Sequence, residues 1–212
     1  MRQPIAWLGF AVFLCSLVWL PPLWAADPSE TDGRSRGQAN APVTLIEYSD
    51  FTCGYCLKFF KETWPRIQAR YVDTGKVRFL YRDYPRADQG PGFDAATAAR
   101  CAGAQGKYWM MHDRLFAEGG RLSKGVYLSH AAAIGLDQAV FEQCVKEGRY
   151  TKSIFEDRQE ANRWGFHGTP GFILLRTNNE PTDKEPAVAI PGAFPFEMFA
   201  EEIDRLLASA PR

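Results

Sequence analysis

Cys53-Gly54-Tyr55-Cys56 places two cysteines three positions apart, a spacing that lets one thiol attack a disulfide while the other resolves the product. The flanking residues give the spacing its meaning. Val43-Thr44-Leu45-Ile46-Glu47-Tyr48 reads as a buried strand, and Phe60, Trp64, Ile67 and Tyr71 beyond the motif recur at helical spacing. Both cysteines therefore fall on the first turn of a helix that follows a strand. A helix N-terminus offers free N–H groups and a partial positive charge. Both favour a thiolate over a thiol, so Cys53 is expected to be the activated nucleophile and Cys56 its resolving partner.

The 212 residues, 46% of them hydrophobic, can bury a sizeable core. Charge is balanced at 25 basic and 25 acidic residues, and no basic patch argues for a nucleic-acid partner.

The first 26 residues read as a secretory signal peptide. A basic start at Met1-Arg2-Gln3 leads into an uncharged apolar run from Ile5 to Leu20, then Pro21-Pro22 and small residues at Ala25-Ala26. Cleavage there implies the periplasm or another exported location. An uncleaved anchor is the alternative, because the uncharged stretch through Ala26 approaches the ~20 residues that span a bilayer. Removing residues 1–26 takes away Arg2 and no acid, leaving 24 basic against 25 acidic residues, a net charge of −1. Cys15 is lost with that piece. Cys53, Cys56, Cys101 and Cys144 remain, an even number that suggests pairing in an exported chain.

Residues 27–40 are polar and read as a flexible leader, with the fold starting near Ala41-Pro42. Val77 to Tyr84 reads as a second strand, and Pro65 is expected to kink the helix between the strands. Helical patterns follow at Asp94–Ala104, Tyr108–Ala117, Leu128–Ile134, Asp137–Lys146 and Tyr150–Trp164. Phe172–Leu175 and Ala187–Ile190 flank a polar loop and predict a hairpin. Phe196, Phe199, Ile203, Leu206 and Leu207 give an amphipathic C-terminal helix. Strand, helix, strand, helical block, hairpin and helix together predict an α/β fold.

Glu47-Tyr48-Ser49-Asp50-Phe51-Thr52-Cys53-Gly54-Tyr55-Cys56, Ala104-Gln105-Gly106-Lys107-Tyr108-Trp109-Met110-Met111-His112-Asp113 and Gly168-Thr169-Pro170 together resemble the DsbA-like thioredoxin-fold oxidoreductases. The resemblance runs from about Ala41 to Leu207. It implies a thioredoxin fold with an inserted all-helical domain, over residues 41–212 with the insertion at about 88–166. It implies that Pro170 is a cis-proline facing the Cys53–Cys56 disulfide, which would turn the Thr169 backbone toward an extended substrate. The alternative at Thr169-Pro170 is an ordinary trans turn. It also implies that Glu47, six residues before Cys53 and on the inward face with Val43 and Leu45, is a buried acid with a raised pKa that relays the Cys56 proton. A solvent-facing glutamate is the other reading. Cys101 and Cys144 resemble a structural disulfide found in some members, with two buried free thiols as the alternative. His112 is expected to be packed or on the surface, His130 has no evident partner, and His167 is a candidate for tuning Cys53.

The resemblance implies no cofactor and no metal, a monomer, reduced exported proteins as substrates and a membrane redox partner. The Gly54-Tyr55 dipeptide departs from the Pro-His that is usual in strong oxidases and, with Thr169, is similar to the DsbC-like isomerases. Residues 27–40 are too short for the dimerisation domain that those enzymes carry. The leading reading is an exported enzyme that donates disulfides to reduced proteins, with an isomerase or reductase kept reduced in the envelope as the alternative; the sequence leaves the direction open. A closed metal site of four cysteines and a non-catalytic partner-binding module are the readings from other classes. Phe51, Tyr55 and Phe59 are candidates for a docking surface, with core packing as the alternative.

Overall fold

The computed structural model describes residues 33–177 and 187–209. The signal-peptide reading at 1–26 and most of the polar loop after Thr177 lie outside them. Strand β1 is Ser35–Arg36 and β2 is Val43–Ser49. Helix α1 (Gly54–Lys58) continues through a π-helical turn at Phe59–Thr63, helix α2 (Trp64–Ile67) and a second π turn at Gln68–Val72. Pro65 has no N–H to give the preceding turn, and the expected kink takes the form of these widened turns on either side of it.

Strand β3 (Val77–Asp83) follows, then helices α3 (Pro91–Gly103), α4 (Tyr108–Ala117), α5 (Lys124–Ala133), α6 (Gln138–Lys146) and α7 (Thr151–Arg163). Strands β4 (Gly171–Arg176) and β5 (Val188–Ile190) and helix α8 (Phe196–Ala208) complete the chain. The sheet order is β1-β3-β2-β4-β5. β2 runs parallel to β3 and antiparallel to β4, and β4 pairs antiparallel with β5 as the hairpin pattern predicts. All seven residues of β2 are buried, as a central strand covered on both faces requires. The fold is α/β with a helical insertion between β3 and β4.

Three apolar clusters fill the molecule. Val43, Leu45, Phe79, Phe172 and Leu174 pack on one face of the sheet against Trp64, Ile67, Phe199 and Ile203. Ile46, Tyr48, Leu80 and Ile173 pack on the other against Ala161 and Phe166. The third occupies the insertion and reaches Phe51, Cys53, Cys56 and Tyr81, so the helical block packs directly against the two cysteines.

The flexible-leader expectation is corrected over residues 33–40. Ser35 and Arg36 form an edge strand on β3, and Arg34 is buried with its guanidinium on the Tyr81 carbonyl and the Asp157 carboxylate. Polar composition hid this, because the driving interaction is a buried ion pair rather than an apolar stripe. Asp157 Oδ2 accepts from Arg34 Nη1 at 2.6 Å, from Arg100 Nη2 at 2.6 Å and from the Asp83 N–H at 2.9 Å. One carboxylate thus ties the N-terminal strand, the sheet and two insertion helices together. Asp157→Ala leaves two buried guanidinium groups short of an anion, and a loss of about 3–5 kcal/mol in urea unfolding is expected. A loss below about 1 kcal/mol would show the network to be dispensable.

Cys101 on α3 and Cys144 on α6 are joined by a disulfide, with Cα atoms 5.8 Å apart. The bond consumes two of the four cysteines that a closed metal site would need. The cross-link closes a long loop, so Cys101→Ala/Cys144→Ala is expected to cost about 3–4 kcal/mol of stability. Urea midpoints in a Cys53→Ser/Cys56→Ser background check it: reductant should lower the midpoint of the chain that keeps Cys101 and Cys144 and leave unchanged the one that lacks them.

Candidate active site

The turn between β2 and α1 aims the cysteines. Asp50 Oδ1 accepts from the Thr52 N–H at 2.8 Å and its hydroxyl at 2.7 Å, and Oδ2 accepts from the Arg86 N–H at 3.1 Å. The Asp50 carbonyl accepts from the Cys53 N–H at 3.0 Å. A Cβ at Gly92 would sit 2.7 Å from Asp50 Oδ1, so glycine there makes room for this anchor. Phe51 is held among Tyr81, Phe116 and the edge of His112.

Cys53 is the N-cap of α1 and Cys56 lies one turn on. Both are free thiols. Cys53 is 7% exposed and opens onto a cleft, whereas Cys56 is fully enclosed. A partner disulfide or thiol can therefore reach Cys53 first. The Thr169–Pro170 bond is cis, and the Cys53 thiol donates to the Thr169 carbonyl at 3.3 Å.

The environment separates the two thiols. A hydrogen bond from Cys56 brings Cys53 down to about 5; burial opposes it, and Thr169 and the N–H groups of Cys56 and Tyr55 assist. As a thiolate Cys53 has no proton for the Thr169 carbonyl. The Thr169 hydroxyl, buried and without another partner, is then the nearby donor. Burial pushes Cys56 well above the ordinary thiol range, and the charges of Cys53 and Glu47 add to it. Glu47 is 4% exposed and burial raises its carboxyl from 4.5 to about 8. Ser49, on the same face of β2, pulls both Glu47 and Cys56 the other way, its hydroxyl being placed to donate to their ionised forms.

Two cavities meet at the turn before Pro170. One, about 460 Å³, is largely apolar and is lined by Tyr55, Phe166, Pro170, Pro191 and Phe194. The other, about 590 Å³, holds Cys53 together with Lys58, Arg86 and His167. His167 thus lines the cleft of Cys53, while His112 is buried in an aromatic cage and His130 sits 3.1 Å from Glu118. Of the docking candidates, Tyr55 is 69% exposed, but Phe51 and Phe59 are core residues and are corrected as such. Sequence reasoning missed Ser49, Lys58, Arg86, Phe166 and Phe194. Lys58 carried a signal, lying just beyond the motif on its helix; the others come from segments that only the fold brings together.

Among the described residues no group of His, Cys, Asp and Glu side chains could hold a metal ion, and no helix is long and apolar enough to cross a membrane.

The comparisons agree with this geometry. The alpha-DsbA1 of Wolbachia pipientis superposes with a TM-score of 0.72 at 26% identity, over 82% of this chain and 90% of that one. A thioredoxin-like oxidoreductase from Silicibacter pomeroyi gives 0.68 at 26% identity, over 87% and 100%. Among curated relatives, a protein of Salinispora arenicola named Na(+)/H(+) antiporter NhaA 1 is 36% identical over 140 residues, 66% of this chain. That match covers 21% of the relative, so the antiporter name describes a much longer protein. The family model described as thioredoxin matches residues 29–188, which include both cysteines, the cis-proline and the whole helical insertion. The chain belongs to the thioredoxin family, as a DsbA-like thioredoxin-fold oxidoreductase.

Proposed function

We propose that the protein is an exported dithiol oxidase, which introduces disulfides into reduced proteins through Cys53 and Cys56. The observation that carries this reading is the unequal environment of the two thiols. Cys53 is favoured as a thiolate while Cys56 keeps its proton. Selective stabilisation of the Cys53 thiolate favours the reduced state of the pair and makes its disulfide an oxidant.

The cycle begins with a Cys53–Cys56 disulfide. A substrate thiolate attacks Cys53 Sγ, the bond to Cys56 breaks, and Cys56 leaves as a thiolate that takes up a proton. A second substrate thiolate then attacks the substrate sulfur of the mixed disulfide. Its disulfide closes and Cys53 leaves as the stabilised thiolate. Two electrons have passed from the substrate to the pair, and a membrane redox partner would remove them. Glu47, buried near Cys56 and titrating at about 8, is the proton donor and acceptor for Cys56 in this scheme, through an intervening water. The cavity of Tyr55, Phe166, Pro170 and Phe194 would seat apolar substrate side chains, with the Thr169 backbone pairing with the substrate chain.

The Gly54-Tyr55 dipeptide supports the isomerase or reductase alternative, since no imidazole stands between the cysteines. Cys56 and Thr169 fill the stabilising role instead, which favours the oxidase. Incubating the oxidised protein with a reduced, unfolded ribonuclease tests the reading. Loss of substrate thiols with regain of ribonuclease activity is expected. Unchanged thiols would reject the oxidase reading.

A further inference from the structure

The cleft that holds Cys53 also holds Lys58, Arg86 and His167, and no carboxylate lines it. Arg86 is exposed and forms no ion pair among the described residues, while Lys58 has only Glu62 at 4.0 Å. The position of Arg86 is not accidental to the site. Its backbone N–H is bound to Asp50 Oδ2, and Oδ1 of the same carboxylate fixes the turn that carries Cys53. One side chain therefore locks the base of a cation and the reacting sulfur into a constant relation. Lys58 is held on α1, the helix that Cys53 caps.

We infer that this basic cleft is a specificity subsite, selecting substrates that carry an acidic side chain beside the reacting cysteine. The inference deepens the oxidase reading and rests on it. Attraction across a cleft open to water acts over a few ångströms and favours a carboxylate while opposing an ammonium. The apolar cavity lies on the other side of the His167–Thr169 turn, so an extended substrate crossing Cys53 would place apolar side chains on one flank and acidic ones on the other. The chemistry is unchanged: substrate thiolate attacks Cys53, the Cys53–Cys56 bond breaks, and Cys56 takes the proton.

The test uses the oxidised protein and three peptides that differ only in the residue beside a single cysteine: Glu, Gln or Lys. The rate at which each, in excess, reduces the protein is divided by its rate with a small neutral disulfide. The division cancels the effect of the neighbour on the peptide's own thiol. At about 0.01 M ionic strength the normalised rate with Glu is expected to exceed that with Lys about tenfold; at about 1 M, with a Debye length near 3 Å, the ratio should approach one. Lys58→Gln/Arg86→Gln should bring the ratio near one at both ionic strengths. The ratio is insensitive to any change in Cys53 itself, which affects all three peptides alike. Equal normalised rates at low salt, or a preference that survives in the double variant, would overturn the subsite while leaving exchange intact. Failure of all three peptides to reduce the protein would overturn the exchange reading, and the subsite with it.

Discussion

Replacing Cys53 with serine is expected to lower thiol–disulfide exchange by at least about a thousandfold, as loss of a covalent nucleophile does. The fold should survive, because a serine hydroxyl is smaller than the thiol and can still donate to the Thr169 carbonyl. Cys56→Ser should behave differently. Cys53 is the thiol that the cleft exposes and the one favoured as a thiolate, so it should still attack a disulfide peptide. Without Cys56 nothing resolves the product, and the reaction should stop at a mixed disulfide on Cys53. Non-reducing electrophoresis and mass spectrometry distinguish the two variants. A stable adduct in Cys53→Ser and none in Cys56→Ser would reverse the roles assigned here.

Glu47→Gln should make the protein slower and, in alkaline solution, more stable. The buried carboxyl ionises at about 8 in the folded protein against 4.5 for an ordinary glutamate. Below pH 4.5 both states keep the proton. Between pH 4.5 and about 8 the unfolded chain releases it while the folded protein holds it, so stability falls as pH rises through this window. At 1.36 kcal/mol per pH unit, the loss is on the order of 5 kcal/mol, an upper bound because water entering the site would lessen it. Glutamine removes the charge and keeps the shape, and the Ser49 hydroxyl can accept from its amide. The oxidised variant should therefore lose less stability between pH 5 and 8 than the oxidised wild type, whose unfolding free energy carries the downward slope of Glu47. Reduced wild type should also be flatter. The Cys53 contribution has the opposite sign: it is present above the unfolded thiol value of about 9 and lost as pH falls toward about 5. Exchange should slow in the variant, because Cys56 loses its proton donor and acceptor. Identical pH profiles of stability for variant and wild type would show that Glu47 is not the buried acid of the site.

The strand before the motif, the helix after it and the terminal hairpin were legible because each carries its period or its turn signal within a dozen residues. The Cys53-Gly54-Tyr55-Cys56 spacing is equally local. Helix boundaries were less so. Helix α5 begins at Lys124, four residues before the apolar pattern suggests, because Gly125 weakens the signal and Ser123 makes no capping bond. The leader over 33–40 misled because Arg34 is held by Asp157, a partner that no local pattern reveals. Phe51 and Phe59 looked like surface candidates beside the motif, yet the helical insertion covers Phe51 and α8 covers Phe59. The basic cleft was hidden in part for the same reason: Lys58 lies on the motif's own helix, but Arg86 and His167 come from two other segments that only the fold brings to Cys53.

The central claim is that the Cys53 thiolate is held strongly enough to make the pair an oxidant. Equilibration in glutathione buffers measures the reduction potential of Cys53–Cys56 directly. The account predicts a value on the oxidising side, near the about −120 mV of DsbA, whereas a value near the about −270 mV of thioredoxin would contradict it and make the protein a reductant.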